Sequence, residues 1–188
     1  MDAQFEQQWY ALQVRTRFAR PAAQTIDRKG FEVFLPTYGQ TTKWSDRYSR
    51  IELPLFPGYL FCRFSPQERL LPILTSPGVI SIVRAGAIPV PIPDDEINAI
   101  KALVRSGLPV APYPELVKGA RVLIEKGPLA GVEGVIVTTG KSCRLIVSVE
   151  LLQRSVMAEI DREWARPAKV TPIRKASPFH RVMPLPAA

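Results

Sequence analysis

The stretch Leu53-Pro54-Leu55-Phe56-Pro57-Gly58-Tyr59-Leu60-Phe61 constrains the fold more than any other part of the chain. Pro57 lacks an amide donor, and Gly58 tolerates backbone angles that other residues avoid. Together they predict a sharp entry into a strand, with Phe56 and Tyr59 displayed near its start. Taken alone, so short a motif is equally compatible with an ordinary hydrophobic strand after a turn. It gains force from its surroundings. An aromatic strand, Trp9-Tyr10-Ala11-Leu12, precedes it, and a glycine-punctuated sequence from Lys118 to Val149 follows it.

The hydrophobic pattern lays out the rest. Trp9 to Arg15 alternates, with Tyr10, Leu12 and Val14 on one face, which predicts a half-buried strand. Phe18, Ala22 and Ile26 recur at a helical spacing; Pro21 is tolerated in the first turn, and Gly30 after Lys29 marks a stop. Phe31 to Leu35 reads as a second strand. Pro36 to Leu53 is a polar, charged excursion in which Lys43 to Arg47 either turns a long hairpin or stays mobile. Tyr59 to Phe64 is a third strand. Ser65-Pro66-Gln67-Glu68 matches a capping box with proline at the first helical position, opening a helix that carries Leu70, Leu71 and Leu74 and stops before Pro77-Gly78. Val79 to Val83 is a fourth strand, Ala87 to Pro93 is too proline-rich for a central one, and Asp94 caps a helix whose apolar face is Ile97, Ile100, Leu103 and Val104.

Texture then changes. Pro109, Pro112 and Pro114 mark an extended linker. Beyond it, Ala120–Ile124, Gly134–Thr138 and Cys143–Leu151 are strands rich in Val, Ile and Leu, separated by Gly127-Pro128 and Thr139-Gly140-Lys141, as in a small barrel. Pro167 to Ala188 has little periodicity and reads as a disordered tail. The organisation is therefore an N-terminal domain over residues 8–107, a linker over 108–117, a barrel over 118–167 and a tail over 168–188.

Composition narrows the function. The 188 residues are 46% hydrophobic, yet no apolar run approaches the roughly 20 residues of a membrane span. The N-terminal residues lack the order of a secretion signal, and Cys62 and Cys143 lie in apolar runs as buried small residues, so the expectation is a monomeric cytoplasmic protein away from membranes. A net charge of +8 favours a polyanionic partner. Catalytic groups are sparse: the one histidine, His180, is in the tail, no cysteine pair has metal spacing, and no glycine-rich phosphate loop follows a strand. Asp94-Asp95-Glu96 is explained by the dipole of the helix it opens. The expectation is a protein that is not an enzyme and carries no cofactor.

Strand, helix, strand, hairpin, Phe-Pro-Gly-Tyr strand, helix, strand, helix, proline linker and small barrel, in that order, resemble the NusG family of transcription elongation factors over nearly all of Trp9 to Arg166. Lys118-Gly119-Ala120-Arg121-Val122, Gly127-Pro128-Leu129-Ala130-Gly131, Gly134-Val135-Ile136-Val137 and Leu145-Ile146-Val147-Ser148-Val149 resemble the family's KOW domain. The implied fold is α+β: an N-terminal (NGN) α/β domain with an antiparallel sheet, and a C-terminal KOW domain built as an SH3-like β-barrel. Lys43-Trp44-Ser45-Asp46-Arg47 is similar to the hairpin of specialised paralogues of the UpxY type, which act on selected operons.

The resemblance implies an N-terminal domain that rides on RNA polymerase and suppresses pausing, with Phe56 and Tyr59 lining the apolar concavity. Aromatic side chains often dominate interface energy, although both could instead pack in the domain's own core. Arg15, Arg17 and Arg20, with Lys43, Arg47 and Arg50, could form one basic surface for the non-template DNA strand, since the arginine fork suits phosphate. Leu151, Leu152 and Arg154 align with a loop that family members direct at a small-subunit ribosomal protein or a termination factor; this chain lacks the loop's usual aromatic, which weighs against the latter. Two adjacent leucines on one strand cannot both point inward, so one should be exposed. One family member folds its second domain as a helical pair over the polymerase site. Here the β-branched runs favour strands, which predicts an independent β domain at rest. The competing reading is a ribosome-associated RNA-binding protein using the KOW domain alone.

Overall fold

The computed structural model describes residues 6–44, 47–113, 121–139 and 142–167. The strands are β1 (Gln8–Val14), β2 (Glu32–Phe34), β3 (Thr37–Trp44), β4 (Arg47–Pro54), β5 (Tyr59–Phe64), β6 (Val79–Ile82), β7 (Arg84–Ala85), β8 (Ile88–Pro89), β9 (Pro91–Ile92), β10 (Val110–Tyr113), β11 (Arg121–Ile124), β12 (Glu133–Thr139), β13 (Ser142–Val149), β14 (Arg154–Ile160) and β15 (Ala165–Pro167). The helices are α1 (Ala19–Arg28), α2 (Pro66–Leu74) and α3 (Asp94–Arg105). The expected tail lies outside the described residues.

The first sheet has the order β2-β5-β1-β6, with β9 also pairing on β1, and every pairing is antiparallel. Tyr10 opposes Cys62 and Leu12 opposes Leu60. These side chains meet Ala22 and Ile26 of α1 and Ile73 of α2 in one buried cluster. The opposite face corrects the sequence reading of a half-buried strand. Trp9 and Ala11 are also buried, and they join Phe61, the Ile97-Ile100-Leu103 face of α3 and the interior of the second sheet. β1 is thus a strand buried on both sides.

Four helix expectations need correction. Phe18 sits in a 3-10 turn ahead of α1 and is 43% exposed, so Ala19, Ala22 and Ile26 form the buried stripe. In α2, Arg69 leaves the helical region (φ −134°, ψ 27°) and Pro72 interrupts the ladder. The kink turns Leu71 outward, at 72% exposure, and Ile73 inward. The predicted capping box does not close from its serine, because the Ser65 hydroxyl donates to Gln67 Oε1 at 3.0 Å instead. Nor does Asp94 cap α3: Pro93 holds the cap position, and Asp94, Asp95 and Glu96 form the first turn.

The excursion before the Phe-Pro-Gly-Tyr motif is a hairpin, β3 paired with β4 from Thr37↔Pro54 to Trp44↔Arg47. The second sheet has the order β10-β14-β13-β12-β11-β15. β10 comes from the proline-rich stretch. Its residues are extended, as proline favours, yet Val110 to Tyr113 also pair with Ala158 to Ser155 at one edge of the sheet. The strands at β11, β12 and β13 match the pattern of Val, Ile and Leu.

Candidate functional site

The Phe-Pro-Gly-Tyr turn is tied down by backbone hydrogen bonds. Leu55 N donates to Pro36 O (2.9 Å), Tyr59 N to Phe56 O (3.0 Å) and Val14 N to Gly58 O (2.9 Å). Gly58 has φ +84°, a conformation that strains any side-chain-bearing residue. The turn therefore fixes where its two aromatics point.

They point differently. Phe56 is 1% exposed and packs edge-to-face on Phe61, with centroids 5.3 Å apart. This corrects the expectation that it is displayed: it belongs to the interior. Tyr59 is half-buried at the margin of the same apolar cluster. The guanidinium of Arg154 lies over its ring, 5.3 Å from the centroid, and Arg154 Nη1 donates to Pro57 O at 3.2 Å.

Arg154 brings the second sheet with it. α3 packs on β13, and the apolar cluster runs without a break from Trp9, Phe56 and Leu103 to Leu145, Val147, Val149 and Val156. Leu151 and Leu152 occupy a 3-10 turn, and both are half-buried against this cluster. The expectation of one exposed leucine assumed strand alternation, which a 3-10 turn does not follow. The second unit has strands, as predicted, but it is not independent of the first. It is docked, and Tyr59, Leu151, Leu152 and Arg154 lie together.

The charged side chains lining the docking face are mainly carboxylates. Asp95 and Glu96 of α3 face Arg121, Glu133 and Glu150 across a cleft of about 870 Å³. Arg121 pairs with Glu150 at 3.5 Å. Burial, first of all, pushes the Glu96 carboxyl up to about 7. The helix dipole is a complete local explanation of these residues, and no signal near them in the sequence announces a second unit that covers them. On the far side of α3, Lys101 bridges to Glu32 at 3.0 Å and lies 4.4 Å from the Trp9 ring centroid, closing the edge of the core.

The basic group is only partly assembled. Arg15 and Arg17 are exposed beside the first turn of α1, and no ion pair engages them among the described residues. Arg20 is committed to the hairpin, donating to both the carbonyl and the carboxylate of Glu52 at 3.1 and 3.0 Å. Lys43, Arg47 and Arg50 lie on β3 and β4, and their side chains fall outside the described residues.

Among the described residues no cluster of acids, cysteines and histidines could hold a metal, and no helix is long and apolar enough to cross a membrane. Cys62 and Cys143 are free and buried. Burial, and then the Glu32 carboxylate, push the Cys62 thiol up to about 12, so it is not a nucleophile at neutral pH.

Comparison with known proteins agrees with this architecture. The family model described as transcription termination factor nusG matches residues 7–101. The transcription termination/antitermination protein NusG of Thermus thermophilus is 26% identical over 176 residues, covering 82% of this chain and 95% of that protein. A solved structure reported as domain interaction in Thermotoga maritima NusG superposes with a TM-score of 0.55 at 20% identity, covering 87% of this chain and 98% of that one, which supports the fold. With a strand-framed Phe-Pro-Gly-Tyr turn, a sheet covered by three helices, a second antiparallel sheet and a family match over half its length, the chain belongs to the NusG family.

Proposed function

We propose that this chain binds RNA polymerase through the margin of the first sheet at Tyr59, and a second partner through Leu151, Leu152 and Arg154. Family membership already makes it a transcription termination/antitermination factor. The finer reading is an elongation and antitermination factor of the cytoplasm, without enzymatic activity, that touches non-template DNA through Arg15 and Arg17. Its second partner is a small-subunit ribosomal protein or a termination factor.

One observation carries this reading. The Gly58 turn holds an aromatic side chain at the margin of an apolar surface whose other occupant is a separate sheet. A surface that buries a neighbouring unit has the composition to bury a partner instead, and a rigid aromatic is the residue type that anchors such exchanges. The docked arrangement is then a resting state in which the two contact surfaces cover each other.

The test is co-purification of core RNA polymerase with the full chain, wild type against Tyr59→Ala, with circular dichroism as the check on folding. Loss of polymerase from a folded Tyr59→Ala protein is the expected result. Recovery of a ribosomal assembly without polymerase by the wild type would replace this reading with that of a ribosome-associated RNA-binding protein.

A further inference from the structure

The docking face between α3 and the second sheet is acidic. Among the described residues, Asp95 and Glu96 from the first turn of α3, Glu133 from β12 and Glu150 from the 3-10 turn after β13 line one cleft with a single arginine, Arg121 of β11. Arg121 is committed to Glu150. Glu96 Oε2 is closed off from solvent and has no hydrogen-bond partner among the described residues. An ionised carboxylate with one oxygen left unpaired in such a place is costly, while the neutral acid is tolerated. The helix dipole offsets little of this, because Asp94 and Asp95 share the same turn.

We infer that Glu96 is a proton-operated latch between the two units: as the neutral acid it lets the second sheet rest on α3, and its ionisation favours release of the sheet and uncovering of Tyr59.

The direction follows from proton linkage. Docking buries Glu96 and raises its carboxyl from the ordinary 4.5 to about 7; the Glu150 backbone opposes this, the carboxylates of Glu150 and Asp95 add to it, and Arg121 subtracts. Once the sheet leaves, Glu96 is an ordinary first-turn residue. The docked state therefore binds the proton more tightly. Its advantage is complete below about pH 4.5 and is lost as pH rises through about 7. Because Glu96 keeps some exposure, screening holds the change in the docked-to-released ratio to roughly tenfold between about pH 5.5 and about pH 8. The inference concerns docking itself, and rests on the polymerase reading only for what release would uncover.

A donor and an acceptor dye, attached through Arg28→Cys on α1 and Glu163→Cys in the second unit, report the separation in the full chain. Both positions are exposed, while the native cysteines are buried and stay unlabelled. The wild type is expected to open as pH rises over this range. Glu96→Gln should stay docked with no pH response. Glu150→Gln, on an exposed turn, should lower the midpoint, and Arg121→Gln should raise it. A wild-type separation that ignores pH, or a Glu96→Gln protein with the wild-type slope, overturns the latch. No polymerase enters this measurement, so a failure of polymerase binding leaves its result intact.

Discussion

Arg154 lies over the ring of Tyr59, 5.3 Å from its centroid, and donates to the carbonyl of Pro57 at 3.2 Å. Each residue belongs to a surface proposed above for a different partner, and here the two surfaces satisfy each other. On that proposal, partner binding at either one competes with docking. The balance is adjustable from the Arg154 side without touching the aromatic anchor.

Arg154→Ala should therefore tighten polymerase binding, while Tyr59→Ala weakens it. A partly exposed cation-π contact contributes about 0.5–1 kcal/mol, and a charged hydrogen bond to a carbonyl somewhat more. Losing both should weaken docking by roughly 1–2 kcal/mol, about five- to thirtyfold in the released population. Titrating fluorescent polymerase with each variant measures this. An Arg154→Ala affinity equal to wild type would mean that docking does not compete with polymerase.

Phe56 and Tyr59 should separate cleanly by stability. Phe56 is fully buried against Phe61, so Phe56→Ala should cost about 3–5 kcal/mol and shift the urea midpoint strongly. Tyr59→Ala should cost no more than about 1 kcal/mol, because its ring is already half in solvent. Urea denaturation of both variants decides it. Equal destabilisation would place Tyr59 in the core as well.

Much of the fold was legible in the sequence because local signals and final environment agreed. Tyr10, Leu12 and Val14 read as one apolar face and pack as one, and Ile97, Ile100 and Leu103 do the same on α3. What was not legible depended on remote chain. Trp9 and Ala11 fall on the second face of β1, and nothing near them announces that α3 and the second sheet will cover it. Leu71 and Leu74 are exposed and Ile73 is buried instead, because the kink at Arg69 breaks the helical period on which the reading relies. The site followed the same rule. The turn chemistry of Pro57 and Gly58 located the turn and its two aromatics but not that Phe56 faces inward and Tyr59 the margin, and Glu96, Arg121 and Glu150 acquire meaning only when two units meet.

The arginines should divide by their partners. Arg15→Ala and Arg17→Ala should each reduce the salt dependence of elongation-complex binding, by about 0.7 in the log–log slope for a single-stranded phosphate contact. Arg20→Ala should leave the slope nearly unchanged, because Glu52 already holds its guanidinium. Binding measured across a salt series separates them. A slope unaltered in the Arg15, Arg17 double variant would assign both to the solvated surface.

Gly134 offers a test of how strand pairing supports the docking face. It opposes Val122 in the β11–β12 pair, and a Cβ there would lie 2.6 Å from the Ile146 carbonyl oxygen and 2.7 Å from a Leu145 methyl. Alanine usually gains about 0.5–1 kcal/mol over glycine inside a strand. Here the oxygen belongs to the backbone of β13 and cannot swing aside, so β12 and β13 must move apart. Gly134→Ala should destabilise the protein by roughly 1–3 kcal/mol, as overpacking does. Because α3 rests on β13, the same substitution should also raise the released population seen by the two dyes. A stabilised Gly134→Ala protein would show that the strands accommodate a methyl group and that the spacing of β12 and β13 is not what sets the docking surface.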